Sequence, residues 1–153
     1  MSQSDTTNIL QGDFSPIERI FLSANGNLQR LLSSYYNQKI YIEFVKNIEK
    51  FDDANNLKIY DREVNLFCQS ELICNAVSTI TVTDKKIRKL IESGEVGIGQ
   101  VFRYLSILPN FKLIWIKRKL NNQQLIRQYT LSIPGFECLI TETFHPEFLS
   151  LTF

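Results

Sequence analysis

The stretch Tyr60-Asp61-Arg62-Glu63-Val64-Asn65-Leu66-Phe67-Cys68 constrains this chain more than any other. A polar break at Gln69-Ser70-Glu71 follows it, and then a second β-rich run, Leu72-Ile73-Cys74-Asn75-Ala76-Val77-Ser78-Thr79-Ile80. Two such runs about a short polar break predict a β-hairpin. Alternate residues of a strand share a face, so Arg62 lies with Val64, Leu66 and Cys68 on the apolar, core-facing side. A guanidinium cannot shed its proton there, and burying it in isolation costs several kcal/mol. Something anionic must meet it, either a carboxylate of the chain or a ligand.

The other end of the sequence offers a carboxylate. In Phe136-Glu137-Cys138-Leu139-Ile140-Thr141-Glu142-Thr143-Phe144, Glu142 shares its face with Cys138, Ile140 and Phe144. Two readings follow. Arg62 and Glu142 form a buried ion pair, or they are the cationic and anionic walls of a pocket. Structural ion pairs and binding sites both place charges in interiors, so alternation alone leaves both open.

The remaining elements come from turn and cap chemistry. Residues 1–13 are polar and predict a flexible tail, with the domain running over 14–153. Ser15-Pro16-Ile17-Glu18 has the form of a capping box with proline at the first helical position. Asn25-Gly26 ends that helix. Asn27 opens a second one carrying Leu28, Leu31, Leu32 and Tyr35, and Asn37 stops it. A strand over Lys39–Ile48 and a polar loop from Phe51 to Leu57 precede the hairpin. Thr83 or Asp84 caps a helix through Ile87, Leu90 and Ile91, with Gly94 as its stop and a glycine-bearing turn over 95–99. A short helix over Gln100–Ser106 follows. Strands at Phe111–Lys119, Leu125–Ile133 and Phe136–His145 close the chain, with turns at Asn121-Asn122 and Pro134-Gly135. Hairpin-linked strands imply an antiparallel sheet, so the expected architecture is α+β: one domain of about six strands with helices over one face.

Several function classes are disfavoured. A net charge of +1 with dispersed basic residues gives no nucleic-acid footprint. Cys68, Cys74 and Cys138 are odd in number, lack Cys-x-x-Cys spacing and sit in apolar strands, which predicts buried thiols and neither disulfides nor a zinc site. His145 is the only histidine, so a histidine-based metal site or catalytic pair would rest on it alone. Gly94, Gly97 and Gly99 have the wrong spacing and context for a dinucleotide fingerprint. No apolar run reaches the length of a membrane span. The first 13 residues contain no Arg or Lys and resemble neither a signal nor a transit peptide, so the protein is expected to work where it is made.

Taken in order, these segments resemble the chorismate lyase family, over roughly Ser15 to Pro146. Ile17-Glu18-Arg19-Ile20-Phe21-Leu22 with Asn25-Gly26 is similar to the family's opening helix and Asp-Gly turn, with Asn25 in place of the Asp. Arg62-Glu63-Val64-x-Leu66, Val77-Ser78-Thr79-Ile80, Gly97-Ile98-Gly99 and Arg127-x-Tyr129 are similar to successive family strands and turns. Thr141-Glu142-Thr143-Phe144-x-Pro146 is similar to the closing Thr-Glu-hydrophobic-Phe-x-Pro. The likeness is greatest to a compact branch that includes plastid-encoded reading frames.

The resemblance implies an enzyme that eliminates pyruvate from chorismate to give 4-hydroxybenzoate, with no cofactor and no metal. Its partner would be a small aromatic carboxylate, and its location the plastid (chloroplast) stroma, or alternatively the cytoplasm. Arg62 and the backbone N–H groups at Leu28 and Ile98, beside Gly99, would bind the aromatic carboxylate. Glu142 would be the catalytic residue, facing the ring oxygen near the breaking ether bond. The hairpin turn around Ser70 is shorter than in bacterial members, and Gln29 stands where a Thr is usual. A second function is compatible with the same residues: a non-catalytic binder of aromatic acids, since this fold also serves as the effector-binding domain of transcription regulators. The third is a structural protein in which Arg62 and Glu142 simply pair.

Overall fold

Ser15 caps the first helix as its spacing predicts. Its hydroxyl accepts from the Glu18 N–H at 3.2 Å, and the Glu18 carboxylate accepts from the Ser15 N–H at 2.8 Å. Pro16 then opens α1 (Pro16–Leu22), where its missing N–H costs nothing. Asn27 precedes α2 (Leu28–Tyr36), but its side chain turns back to accept from the Asn25 N–H, so the first turn of α2 has no side-chain cap. Asn37, in the left-handed region at φ 53°, ends α2. The computed structural model describes residues 9–93 and 98–153.

Six strands and two further helices complete the described chain: β1 (Ile40–Asp52), β2 (Leu57–Cys68), β3 (Glu71–Val82), α3 (Lys85–Glu92), α4 (Ile98–Leu105), β4 (Asn110–Arg118), β5 (Leu125–Ile133) and β6 (Phe136–Phe144). The Asp84 carboxylate caps α3 by accepting from the Ile87 N–H at 3.0 Å. The expected glycine stop at Gly94 and the turn at Gly97 lie outside the described residues. The hairpin of β1 and β2 is longer than alternation indicates. Phe51 and Asp52, expected in a loop, pair with Lys58 and Leu57. Phe51 is half exposed, so no buried face imposes a pattern on that end. The tail also differs from expectation: its first eight residues lie outside the described chain, but Leu10 packs against the core.

The strands form one antiparallel sheet in the order β1-β2-β3-β6-β5-β4. One face is covered, and along β5 every second residue from Leu125 to Ile133 is buried. The chain is thus a single α+β domain with an open six-stranded sheet and, among the described residues, four helices.

The covered face carries two apolar clusters. One joins α1 and α2 to Leu66, Cys68, Cys74, Leu125 and Phe144. The other joins α3 and α4 to Tyr60, Ile80, Leu131 and Cys138. Along their border run two adjacent rows of register partners, the second sharing Tyr129 and Ile140 with the α3–α4 cluster. The first is Arg127, Glu142, Ala76 and Val64, and the second is Tyr129, Ile140, Ser78 and Arg62. Among the described residues the buried polar and charged ones, Arg62, Ser78, Arg127 and Glu142, all stand in these two rows. A polar band therefore divides the core.

Candidate functional site

A cavity of about 360 Å³ opens over this band. It lies at the small end of the range usual for small-molecule sites, roughly 300–1,000 Å³. Its sheet wall is apolar, with Ile42, Val64, Leu66, Ala76 and Ile140. Opposite stand the first turns of two helices, Leu28 and Gln29 of α2 and Ile98 and Gly99 of α4. The first N–H groups of a helix have no acceptor within it and carry its positive dipole end, which favours an anion. Gln29 is fixed in the wall by donating from Nε2 to the Ile40 carbonyl at 3.1 Å.

Gly99 lets these walls meet. A Cβ placed there would lie 1.8 Å from the carbonyl oxygen of Gly26, so only glycine permits α4 to touch the loop between α1 and α2. Gly26 itself has φ +99°, a conformation that side chains disfavour. The glycine needed for close approach thus serves a backbone contact that builds the cavity.

Glu142 and Tyr129 reach the cavity from the sheet. The carboxylate is almost fully buried and each of its oxygens is engaged. Oε1 accepts from Arg127 Nε at 2.6 Å, and Oε2 accepts from the Tyr129 hydroxyl at 2.6 Å. Arg127 Nη1 also donates to the carbonyls of Leu22 at 2.8 Å and Ala24 at 2.7 Å, where α1 runs into the loop carrying Gly26. One guanidinium thereby ties the cavity's carboxylate to its helical wall. Burial opposes the Arg127 charge, but the Glu142 carboxylate outweighs it and raises the guanidinium pKa. Burial, followed by the Glu142 charge, pushes the Tyr129 phenol well above its ordinary value. The phenol remains a hydroxyl and donates.

Of the two readings of Arg62 and Glu142, the direct ion pair between them is not formed; Arg127 takes the carboxylate. Arg62 does lie on the core side, only 2% exposed, but its register partner on β3 is Ser78, and the next residue across is Ile140. It is thus two strands from β6, roughly 10 Å, and one row away from Glu142. Its guanidinium stacks over the Phe44 ring at 5.1 Å, and burial lowers its pKa. Among the described residues that line the cavity are Leu28, Ile98, Gly99 and Glu142, but Arg62 is not one of them. Its neighbour two positions along, Val64, is.

Arg127 is the residue that alternation could have singled out and did not. It shares its face with Leu125, Tyr129, Leu131 and Ile133, so it is as anomalous on β5 as Arg62 is on β2. The three cysteines are buried thiols, as expected, and desolvation raises the pKa of each. The His145 Nδ1 accepts from the Glu147 N–H at 2.9 Å in the turn after β6. Among the described residues no group of three His, Cys, Asp or Glu side chains could hold a metal ion. No described helix is long and apolar enough to cross a membrane. The sequence matches no protein-family model and, at a significant level, no curated protein.

Proposed function

We propose that this chain is a chorismate lyase-like enzyme that eliminates pyruvate from chorismate to give 4-hydroxybenzoate. One observation carries the reading. Leu28, Ile98, Gly99 and Glu142, drawn from motifs far apart in the sequence, converge on one cavity with helix N-termini along one wall and a carboxylate at the sheet. That polarity suits an aromatic acid: its carboxylate at the N–H groups, its ring against Val64, Ala76 and Ile140, and its hydroxyl at Glu142.

The reaction asks little of the protein. The carbon–oxygen bond to the enolpyruvyl group breaks, the ring loses a proton and becomes aromatic, and the departing enol takes up a proton to give pyruvate. Carbon and oxygen are redistributed without a net redox change. The chain's part is to orient the substrate and to accept a hydrogen bond beside the breaking bond. Glu142, held by Arg127 and Tyr129, is a preorganised acceptor for the ring hydroxyl. The resemblance assigns the substrate carboxylate to Arg62, which stands two positions along β2 from the cavity-lining Val64. The resemblance to plastid-encoded reading frames makes the plastid stroma the proposed setting.

The same cavity supports a second reading, a non-catalytic binder of aromatic acids. It is favoured by the engagement of both Glu142 oxygens, which fixes the carboxylate as a recognition group already held by Arg127 and Tyr129. Incubation of purified protein with chorismate, following pyruvate and 4-hydroxybenzoate together by chromatography, separates the two. Equal release of both products, abolished in Glu142→Gln and reduced in Arg62→Ala, is the result expected of the lyase. Saturable 4-hydroxybenzoate binding without turnover would establish the binder. Full turnover by Glu142→Gln would remove Glu142 from the chemistry.

A further inference from the structure

The rim of the cavity differs from its interior. Arg30 of α2, Lys39 before β1 and Arg103 of α4 line the opening and are exposed to solvent. None of the three forms an ion pair with a described carboxylate, whereas Lys50, Lys58, Arg118 and Arg127 all do. Lys39 lies over the Tyr41 ring at 5.0 Å, a contact that leaves an ammonium available to an anion. Among the described residues that line the cavity, the only carboxylate is Glu142, and Arg127 already neutralises it. The opening is thus a zone of three positive charges from three separate segments, around a hole of ligand size.

We infer that Arg30, Lys39 and Arg103 form a specificity-determining rim that engages a second anionic group on the ligand, so that the site selects dianionic aromatic or cyclic acids over monoanionic ones. The inference rests on the reading of the cavity as an aromatic-acid site. One negative charge is served inside, by helix N–H groups; the rim has use only for a second charge that stays at the mouth. Exposed cations of this kind act at modest strength per contact and steer association in a salt-dependent manner. A substrate with two carboxylates is then held more firmly than a product that has lost one of them, and the rim assists product release by ceasing to hold it.

The test compares two non-reactive acids with the same ether, 4-methoxybenzoate as monoanion and 4-(carboxymethoxy)benzoate as dianion. Their affinities for the full chain are measured by calorimetry at low and physiological salt. The wild type should prefer the dianion, and salt should narrow the preference. The variant Arg30→Gln/Lys39→Gln/Arg103→Gln, its fold checked by circular dichroism, should bring the ratio of the two affinities towards one by about tenfold. All three side chains are at the surface, so the fold should survive. Equal wild-type affinities, or an equal loss for both acids in the variant, overturn the rim. Turnover of chorismate by the variant at the wild-type KM overturns the rim and leaves the lyase standing. Failure of the wild type to bind either acid or chorismate overturns both.

Discussion

Replacing Gly99 by alanine sets two physical effects of opposite sign against each other. Gly99 lies in the first turn of α4, and helix propensity alone makes Gly→Ala stabilising by about 1 kcal/mol. The added Cβ, however, would stand 1.8 Å from the carbonyl oxygen of Gly26 and 2.9 Å from its carbon, where real Cβ atoms keep at least 3.0 Å. Raising 1.8 Å to 3.0 Å demands a displacement of 1.2 Å. Both partners are backbone, so no side chain can rotate aside, and α4 or the loop at Gly26 must move bodily. Overpacking of this type costs about 1–3 kcal/mol, and the absence of a yielding side chain places it at the upper end. The net expectation is a loss of about 2 kcal/mol, which lowers the melting temperature by about 4–8 °C in a domain of this size. Thermal unfolding followed by circular dichroism measures it, and binding of 4-hydroxybenzoate should weaken in parallel, because Gly26 and Gly99 both line the cavity. A variant as stable as the wild type, or more so, would refute the close approach and leave propensity as the governing effect.

Three more perturbations probe the features around it. Arg127→Met strands a buried carboxylate and should cost about 3–5 kcal/mol in urea unfolding, while Arg127→Met with Glu142→Leu should recover most of that loss. Ser15→Ala removes one half of the capping box and should cost about 1 kcal/mol by the same assay. Burial works against the charge of Glu18, but the Arg118 and Ser15 donors outweigh it and hold its pKa below the ordinary 4.5. A depressed carboxylate contributes stability that is complete above its unfolded pKa and is lost as pH falls through the lower folded value. The wild type should therefore lose stability more steeply than Arg118→Met on acidification below the ordinary carboxylate range, and parallel curves would remove Glu18 from the acid response.

Alternation along β2 and β6 placed Arg62 and Glu142 on the core side from sequence alone, and both are buried there. Which charge meets which was not legible, because it depends on strand order. Two segments far apart in the chain, β3 and β6, become neighbours, and β5 then sets Arg127 directly opposite Glu142. The sequence shows that an inward cation needs company but not how many strands separate it from any given carboxylate. The caps at Ser15 and Asp84 were readable because their partners lie three residues away. The far end of the β1–β2 hairpin was not, since it is held by backbone pairing, in which residues such as Lys50 and Ile59 stand opposite each other, rather than by a buried face. The α4 start at Ile98, earlier than the helical pattern suggests, was hidden for a related reason: Gly99 reads as a turn residue, yet its small size is required inside a helix.

The polar band between the two apolar clusters has a consequence for how the domain tolerates change. Side chains such as Leu32 and Phe144 in one cluster share no packing cluster with Ile91 and Leu131 in the other. Losses of stability from substitutions on opposite sides should therefore add, whereas pairs within one cluster should couple. Each half can drift in its packing without re-tuning the other, provided the band's own charges keep their partners. A ligand seated across the band contacts both halves at once, and so joins two independently variable units into one cooperative body.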